Sequence, residues 1–241
     1  GVGRSAQVDA ISLGLDILVA TPGRLLDIIN TEDIDFSQLE VFVLDEADTM
    51  LDMGFLSDVQ TIIERLPSLR QTLLFSATMP SRIEKLGNEI LKDPIKVEVA
   101  PESTTLDIVD QKLFLIDKPN KLYSLFSLLE DERFKSVLIF CKTKFGADIL
   151  VDELSKVGIT ARSLHSKKVQ TEREQSLQDF KAGSIRVLVA TDVAARGIDV
   201  DNINLVINYN LPEDPRNYIH RIGRTARAGR AGTAISFVVE N

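Results

Sequence analysis

Six short apolar runs, separated by segments with helical patterning, constrain what this 241-residue chain can fold into. Nearly every residue within a run is apolar, rather than every second one, which is typical of strands buried on both faces of a sheet. Strands of this kind form parallel sheets in which helices cross over between them. The predicted strands are DILVA (16–20), VFVLD (41–45), TLLFSA (72–77), SVLIFC (136–141), IRVLVA (185–190) and NLVINY (204–209), and IKVEV (95–99) and QKLFLI (111–116) are also strand-like.

The segment VAPESTTLD (99–107) divides this pattern into two parts. It contains Pro, Ser and Thr and lies between two strand-like runs, which is typical of a short linker. We therefore predict two tandem α/β domains with parallel sheets. The first spans residues 1–103, the linker spans 104–109, and the second domain spans 110–241.

The distribution of charge changes at the same place. Residues 1–103 hold 8 Lys and Arg against 18 Asp and Glu, whereas residues 104–241 hold 20 against 18. The net charge of −8 argues weakly against a nucleic-acid partner, but RNYIHRIGRTARAGR (216–230) contains five arginines and no acid. A solvated basic face is the simplest interpretation of such a run. The glycines between the arginines favour a binding function instead.

Composition excludes several classes of protein. No apolar run approaches the roughly 18–20 residues of a membrane span, and no secretory signal is visible. The single cysteine, Cys141, lies in a predicted strand, so it can make no internal disulfide and is expected to be a core thiol. These features predict a cytoplasmic protein that does not contact a membrane.

Polar residues directly follow several predicted strands. In open parallel sheets, ligands bind at the edge formed by the carboxyl ends of the strands. Asp45 and Glu46 lie at such an end, where carboxylates commonly hold Mg²⁺ together with a phosphate or orient an attacking water. The alternative is that both acids only cap the next helix. Other polar strand ends are TPGR (21–24), SAT (76–78) and ATD (190–192).

The segment HRIGRTAR (220–227) carries the complementary charge. Arg221 and Arg224 are three positions apart, so on a helix they share a face. Two guanidinium groups on one face match the oxygens of a phosphate. This arrangement favours a phosphate ligand over a structural role for the acids.

Together these motifs resemble those of the DEAD-box RNA helicases, ATPases of superfamily 2 with two RecA-like domains. In chain order they are TPGR (21–24), DEAD (45–48), SAT (76–78), ATDVAARGIDV (190–200) and HRIGRTAR (220–227), which resemble motif Ib, Walker B and motifs III, V and VI. The resemblance covers essentially the whole chain. KTKFGA (142–147) and VEVAPESTT (97–105) are most similar to a bacterial subgroup linked to ribosome assembly and cold adaptation.

The resemblance implies an enzyme that uses ATP and Mg²⁺ to unwind RNA duplexes or remodel RNA–protein particles. Asp45 would hold Mg²⁺ through water, and Glu46 would position the attacking water. Arg221 and Arg224 would reach the γ-phosphate from the second domain, and Asp199 would contact the ribose.

The same resemblance implies coupling and RNA-binding residues. Asp48, Ser76 and Thr78 would couple hydrolysis to domain closure. Contacts to the RNA sugar-phosphate backbone would give weak sequence preference and a strong dependence on salt. Partners would be RNA and ribosomal or other RNA-bound proteins. The residues implied to contact RNA are Thr21, Gly23, Arg24, Thr143, Thr191 and Gly197.

One family element is missing from this sequence. The P-loop, G-x-x-x-x-G-K-[ST], holds phosphates with backbone N–H groups and a lysine, but none of the 13 glycines here is followed by lysine. The upstream glutamine motif is missing too. We therefore expect an N-terminally truncated helicase whose first sheet is incomplete and whose ATPase activity is impaired.

Two other functions stay open from the sequence. One is a non-catalytic RNA-binding module that retains the helicase C-terminal domain, which would bind RNA whether or not ATP is present. The other is a DNA translocase of the same superfamily, which the spelling DEAD together with SAT disfavours. Duplex unwinding that requires ATP would distinguish the helicase from both.

Overall fold

A computed structural model describes residues 3–32, 34–99, 108–195, 198, 200, 203–226 and 232–239. The chain divides into two compact units, one within residues 2–99 and the other mainly within residues 100–241. The predicted domain boundaries, 1–103 and 110–241, stay predictions, and residues 104–107 of the predicted linker lie outside the described residues.

The first unit packs helices against a two-stranded parallel sheet. Strands β1 and β2 pair in register, with Val41 opposite Gln71 and Leu44 opposite Leu74. Apolar residues of β1, α3, α4 and α5 form its core, including Leu44, Val59 and Ile83. The elements are α1 (Arg4–Ser12), α2 (Pro22–Ile29), β1 (Val41–Leu44), α3 (Ala47–Asp52), α4 (Leu56–Ile63), β2 (Gln71–Leu74) and α5 (Ser81–Ile90).

The predictions of strands at 16–20 and 95–99 are wrong. Neither segment pairs with another described segment, and Val19 and Ile95 are 92% and 91% exposed. Apolar content alone does not make a strand, because a strand exists only through hydrogen bonds to a neighbouring backbone. The sheet of the first unit therefore has two strands within the described residues, as expected of an incomplete first sheet.

The second unit contains a six-stranded sheet in the order β3-β8-β7-β4-β6-β5, in which every neighbouring pair is parallel. Its described elements are β3 (Val109–Ile116), a 3₁₀ turn (Lys118–Asn120), α6 (Lys121–Leu129), β4 (Val137–Phe140), α7 (Lys144–Lys156), β5 (Ala161–Leu164), α8 (Gln170–Lys181), β6 (Val187–Ala190), α9 (Asp192–Ala195), β7 (Leu205–Asn208), α10 (Pro215–Ile222) and β8 (Gly232–Val239).

The continuous apolar runs at 136–141, 185–190 and 204–209 correctly predict the centre of this sheet. They form β4, β6 and β7, in which all four residues of each strand are buried. Strand β5 escaped prediction because its sequence, ARSL, carries two polar residues, and β8 was also missed. The segment is a strand because it pairs with β6, and its apolar content alone would not have identified it.

Helix α7 follows its sequence signals closely. The Thr143 hydroxyl accepts the Gly146 N–H at 3.0 Å and so caps the first turn. A Cβ at Gly146 would lie 2.9 Å from that hydroxyl oxygen, so a larger residue would displace the cap. The helix buries Leu150 and Leu154 and is followed by Gly158, whose φ of +80° suits the residue after a helix.

Two apolar clusters of the second unit draw on the sheet's central strands. One includes Ile139 and Leu154, and the other includes Leu138 and Phe180. Cys141 belongs to the first cluster, as predicted for a core thiol, and burial raises the pKa of its thiol to about 12. Across the described ranges, no helix is long and apolar enough to cross a membrane.

Candidate functional site

Asp45 and Glu46 lie at the carboxyl end of β1, where the chain turns sharply into α3. Both side chains are exposed, and Asp45 Oδ1 accepts the Glu46 N–H at 2.8 Å. Glu46 has a φ of +50°, which is uncommon for a residue with a side chain and costs roughly 1–2 kcal/mol. The Ala47 N–H donates to the Phe75 carbonyl at 3.1 Å and anchors the turn to the segment after β2. The fold therefore holds two solvent-facing carboxylates at the strand end.

Asp48 joins the ends of β1 and β2. It is 3% exposed, and its Oδ2 accepts both the N–H and the hydroxyl of Thr78 at 2.8 Å. Its own N–H donates to the Ser76 hydroxyl at 3.2 Å, and that hydroxyl donates to the Thr78 carbonyl at 2.6 Å. Burial raises the pKa of Asp48, but hydrogen bonds from Thr78, Thr49 and Ser76 outweigh it and leave the pKa lowered. The structure thus brings together the three residues expected to act in coupling.

The three RNA-contact candidates of the first unit lie at the start of α2. Thr21 precedes the helix with an extended backbone and an exposed side chain. A Cβ at Gly23 would make ordinary contact with the Phe55 ring at 3.6 Å. Arg24 donates to the Gln7 side chain at 2.7 Å and lies 3.5 Å from the Asp27 carboxylate. Their contact with RNA stays a prediction.

Arg221 is held inside the second unit by four hydrogen bonds. It is 3% exposed and forms a two-pronged pair with Asp192, from Nε to Oδ1 at 2.5 Å and from Nη2 to Oδ2 at 2.8 Å. Its Nη1 donates to Asn208 Oδ1 at 2.9 Å and to the Asn210 carbonyl at 2.6 Å. Four of its five N–H groups therefore have partners inside the second unit. Contact between Arg221 and a γ-phosphate stays a prediction, and it would require some of these hydrogen bonds to break.

Three other candidate residues, Arg224, Gly197 and Asp199, belong to the same part of the second unit. Arg224 is partly buried, and its Nη1 donates to the Ile198 carbonyl at 3.3 Å. Gly197 and Asp199, predicted to contact RNA and the ribose, lie outside the described residues.

Thr143 and Thr191 follow neighbouring strands at the carboxyl edge of the sheet. They follow β4 and β6, which pair directly, so the two ends are adjacent. The backbone there is tightly held, because the Cys141 N–H donates to the Ala190 carbonyl at 2.9 Å and the Thr191 N–H to the Leu164 carbonyl at 3.2 Å. Thr143 is exposed and Thr191 is buried.

Sequence reasoning missed a polar cluster at the end of β5. His165 is 1% exposed, and its Nε2 lies 3.0 Å from both Asp148 oxygens, while its Nδ1 accepts the Lys167 N–H at 3.3 Å. Asp148 also accepts the Ser163 hydroxyl at 2.6 Å and lies 3.3 Å from Lys168 Nζ. Burial raises the pKa of Asp148, but hydrogen bonds from Ser163, His165 and Lys168 lower it more, to about 2. The sequence did not predict this cluster, because His165 follows a strand that was itself missed and no motif for ligand binding surrounds it.

This cluster predicts a dependence of stability on acid. Because the folded pKa of Asp148 lies below its ordinary value of 3.8, its contribution is complete above that value and is lost as pH falls toward 2. We expect Asp148→Asn to destabilise the second unit near neutral pH and to have progressively less effect below about pH 4. Urea unfolding across this range measures the difference.

Asp152→Asn is the matched control, since Asp152 is an exposed carboxylate on the same helix. It should leave the unfolding midpoint unchanged at every pH. A difference between wild type and Asp148→Asn that stays constant down to pH 2 would contradict the assignment.

The described residues contain no group of three or more His, Cys, Asp or Glu side chains that could hold a metal. The carboxylate of Asp45 is exposed, and its Oδ1 accepts the Glu46 N–H. With one carboxylate ligand, Asp45 suits a cation that is bound through water and whose remaining ligands include a phosphate.

Two family descriptions match this chain. Residues 1–86 match "DEAD/DEAH box helicase", and residues 117–229 match "Helicase conserved C-terminal domain". The chain belongs to the DEAD-box helicase family. Its fold is two tandem RecA-like domains, the first of them incomplete.

Curated relatives of this DEAD-box chain include bacterial RNA helicases. It is 45% identical to the ATP-dependent RNA helicase DbpA of Bacillus subtilis over 92% of this chain and 46% of the relative. It is 43% identical to the DEAD-box ATP-dependent RNA helicase CshA of Streptococcus pneumoniae over 98% of this chain and 45% of the relative. The chain therefore spans about half the length of the curated relatives it matches.

Solved structures agree with this family. Dbp5 of S. cerevisiae, bound to RNA and ADP BeF3, matches 92% of this chain and 59% of its own with a TM-score of 0.81 and 34% identity. A hypothetical ATP-dependent RNA helicase from Sulfolobus tokodaii matches 100% of this chain and 70% of its own, with a TM-score of 0.54 and 34% identity.

Proposed function

We propose that this chain carries the catalytic carboxylates, coupling residues and second-domain arginines of an ATP-dependent RNA helicase. Such an enzyme couples ATP hydrolysis to local unwinding of RNA duplexes or remodelling of RNA–protein particles. The observation that carries the proposal is the Asp48 network, which ties the exposed Asp45 and Glu46 to the SAT segment through Thr78 and Ser76. Strain at Glu46 accompanies it, as is common at functional sites.

In this function, the two exposed carboxylates, Asp45 and Glu46, have different roles. Asp45 would hold Mg²⁺ through its water shell, and the cation would neutralise charge on the phosphate oxygens. Glu46 orients the attacking water and accepts its proton. Asp48 faces away from solvent and keeps both carboxylates in register with Ser76 and Thr78.

The second unit supplies the positive charge. Arg224 is the better candidate for phosphate contact, since Arg221 would first have to break its pair with Asp192. We assign Arg221 to positioning: it holds the start of α9 against the end of β7 through Asp192 and Asn208. Asp199, predicted to contact the ribose, lies outside the described residues.

RNA is the proposed partner, contacted through its sugar-phosphate backbone. Support comes from the relatives named as RNA helicases and from the RNA-bound yeast neighbour. The similarity to bacterial relatives makes ribosomal or other RNA-bound proteins the proposed macromolecular partners, and the cytoplasm the proposed location. The proposed contacts are Thr21, Gly23 and Arg24 in the first unit, and Thr143, Thr191 and Gly197 in the second, of which Gly197 is outside the described residues.

A chimera tests the catalytic assignment. A P-loop-bearing N-terminal segment of a family member is joined to the first residue of this chain, and RNA-stimulated ATP hydrolysis is measured. We expect turnover by the chimera, and a loss of about 100-fold or more in kcat with Glu46→Gln, because the glutamine cannot accept the proton. The 241-residue chain alone should remain at background, since none of its glycines is followed by lysine.

Glu64→Gln serves as the control, because Glu64 is an exposed carboxylate of the same unit beyond the end of α4. It should leave kcat unchanged. A chimera that hydrolyses ATP equally well with and without Glu46→Gln would refute the catalytic role of Glu46, whereas a chimera that binds RNA but shows no turnover would favour the non-catalytic RNA-binding module.

A further inference from the structure

An exposed aromatic ring lies beside the proposed RNA contacts of the second unit. Phe145 is 75% exposed and occupies the first turn of α7, two residues after Thr143. A single exposed apolar residue is ordinary on a protein surface. This one lies at the carboxyl edge of a parallel sheet, where ligands of such folds bind.

The direction of the Phe145 side chain follows from Asp148. The two residues are three positions apart on α7, so they share a face. The Asp148 carboxylate contacts His165 Nε2 at 3.0 Å and Lys168 Nζ at 3.3 Å, which places this face against the loop that follows β5. Phe145 therefore stands one helical turn nearer the carboxyl edge than Asp148, alongside that loop.

Two exposed lysines lie on the elements that meet at this edge. Lys144 precedes Phe145 in the first turn of α7, and Lys167 lies in the loop after β5 that the His165–Asp148 contact fixes in place. Both lysines are exposed, and neither makes an ion pair with any other residue in the described part of the chain. An exposed aromatic ring together with cationic side chains at one edge of the sheet suits a nucleobase and its neighbouring phosphates.

We propose that Phe145 stacks on a base of single-stranded RNA, while Lys144 and Lys167 neutralise the adjacent phosphates. The proposal rests on the proposed function, because it requires RNA to lie at this edge. Stacking tolerates any base, since every base presents an aromatic face, so the contact adds affinity without adding sequence preference. It gives the second unit a base contact in addition to backbone contacts.

Fluorescence anisotropy with a labelled single-stranded oligouridine tests the proposal in the full chain. We expect Phe145→Ala and Phe145→Leu to weaken binding by about tenfold, and Phe145→Trp to retain or improve it, because only an aromatic face stacks. The affinity should shift by the same factor at every salt concentration. Lys167→Ala should instead reduce the slope of affinity against salt, since it removes a phosphate contact.

Tyr123→Ala is the matched control. Tyr123 is 74% exposed and lies in the first turn of α6, which follows β3 at the opposite end of the strand order. It should bind RNA as wild type does. Each substituted residue is exposed, so we expect every variant to fold. Circular dichroism checks this.

An oligonucleotide of the same length with abasic sites identifies the contact. The difference between wild type and Phe145→Ala should disappear with this probe. If wild type binds oligouridine and Phe145→Ala binds equally well, or if the difference persists with abasic RNA, stacking is refuted while the proposed function stands. If the wild-type chain binds no RNA, both fall.

Discussion

Asp192→Ala should destabilise the second unit by about 3–5 kcal/mol, the cost of leaving a buried charge without its counter-ion. Arg221 is 3% exposed, and the substitution strands its Nε and Nη2, which pair with the carboxylate at 2.5 and 2.8 Å. Hydrogen exchange of amides in β4, β6 and β7 measures the loss within the full chain.

Substitution of the partner, Arg221, should destabilise the second unit less than Asp192→Ala. Asp192 is about one-third exposed, so water can solvate it once the guanidinium is gone. Arg221→Met leaves the acceptors Asn208 Oδ1 and the Asn210 carbonyl without a donor, for which we expect about 1–3 kcal/mol. This asymmetry distinguishes a buried positioning arginine from one that faces a ligand.

Glu213→Ala is the control for the Arg221–Asp192 pair. Glu213 pairs with Lys142 at 2.8 Å on the same unit, but both side chains are largely exposed. Pairs of this kind contribute little, because solvent screens them. If the amides of β4, β6 and β7 are equally protected from hydrogen exchange in Asp192→Ala and Glu213→Ala, the positioning role of Arg221 is contradicted.

Asp48→Ala should destabilise the first unit by about 2–4 kcal/mol. The substitution leaves the N–H and hydroxyl of Thr78 and the N–H of Thr49 without their charged acceptor. Hydrogen bonds to a charged group contribute about 1.5–3 kcal/mol each, and water recovers part of this loss because Thr78 is exposed. Protection of amides in β1 and β2 should fall, while that of β4 and β6 should not change. Hydrogen exchange of the full chain reports both units at once.

Two further substitutions make this prediction specific. Thr78→Val removes only the hydroxyl donor, so we expect a smaller loss of about 1 kcal/mol. Asp45→Ala removes an exposed carboxylate three residues away and should leave protection nearly unchanged. If Asp45→Ala and Asp48→Ala have the same effect, the Asp48 network is not what holds the strand ends together.

These two networks have a common design. In each unit a carboxylate at the carboxyl edge of the sheet binds a residue from a different part of the chain: Asp48 binds Thr78, and Asp192 binds Arg221. Each joins two of the segments that the family resemblance singles out. We expect a change at one segment to affect its partner through this short hydrogen-bonded connection.

The central strands and the family motifs could be predicted from sequence. Continuous apolar runs report burial on both faces, and β4, β6 and β7 are buried at every position. Motifs such as DEAD and HRIGRTAR are local strings, so their order and spacing are readable without coordinates. Helix α7 was predictable for the same reason, because its cap at Thr143 and its stop at Gly158 are local signals.

Only the tertiary structure decided which polar groups meet and which apolar runs become strands. The partners of Arg221 lie as far as 29 residues away, and Asp48 and Thr78 are 30 apart, so no local pattern encodes these hydrogen bonds. The run at 16–20 is as apolar as a strand, yet it pairs with no described segment. Local composition determines which residues tend to be buried. Strand pairing and buried ion pairs depend instead on which backbone or side chain the fold brings next to each group.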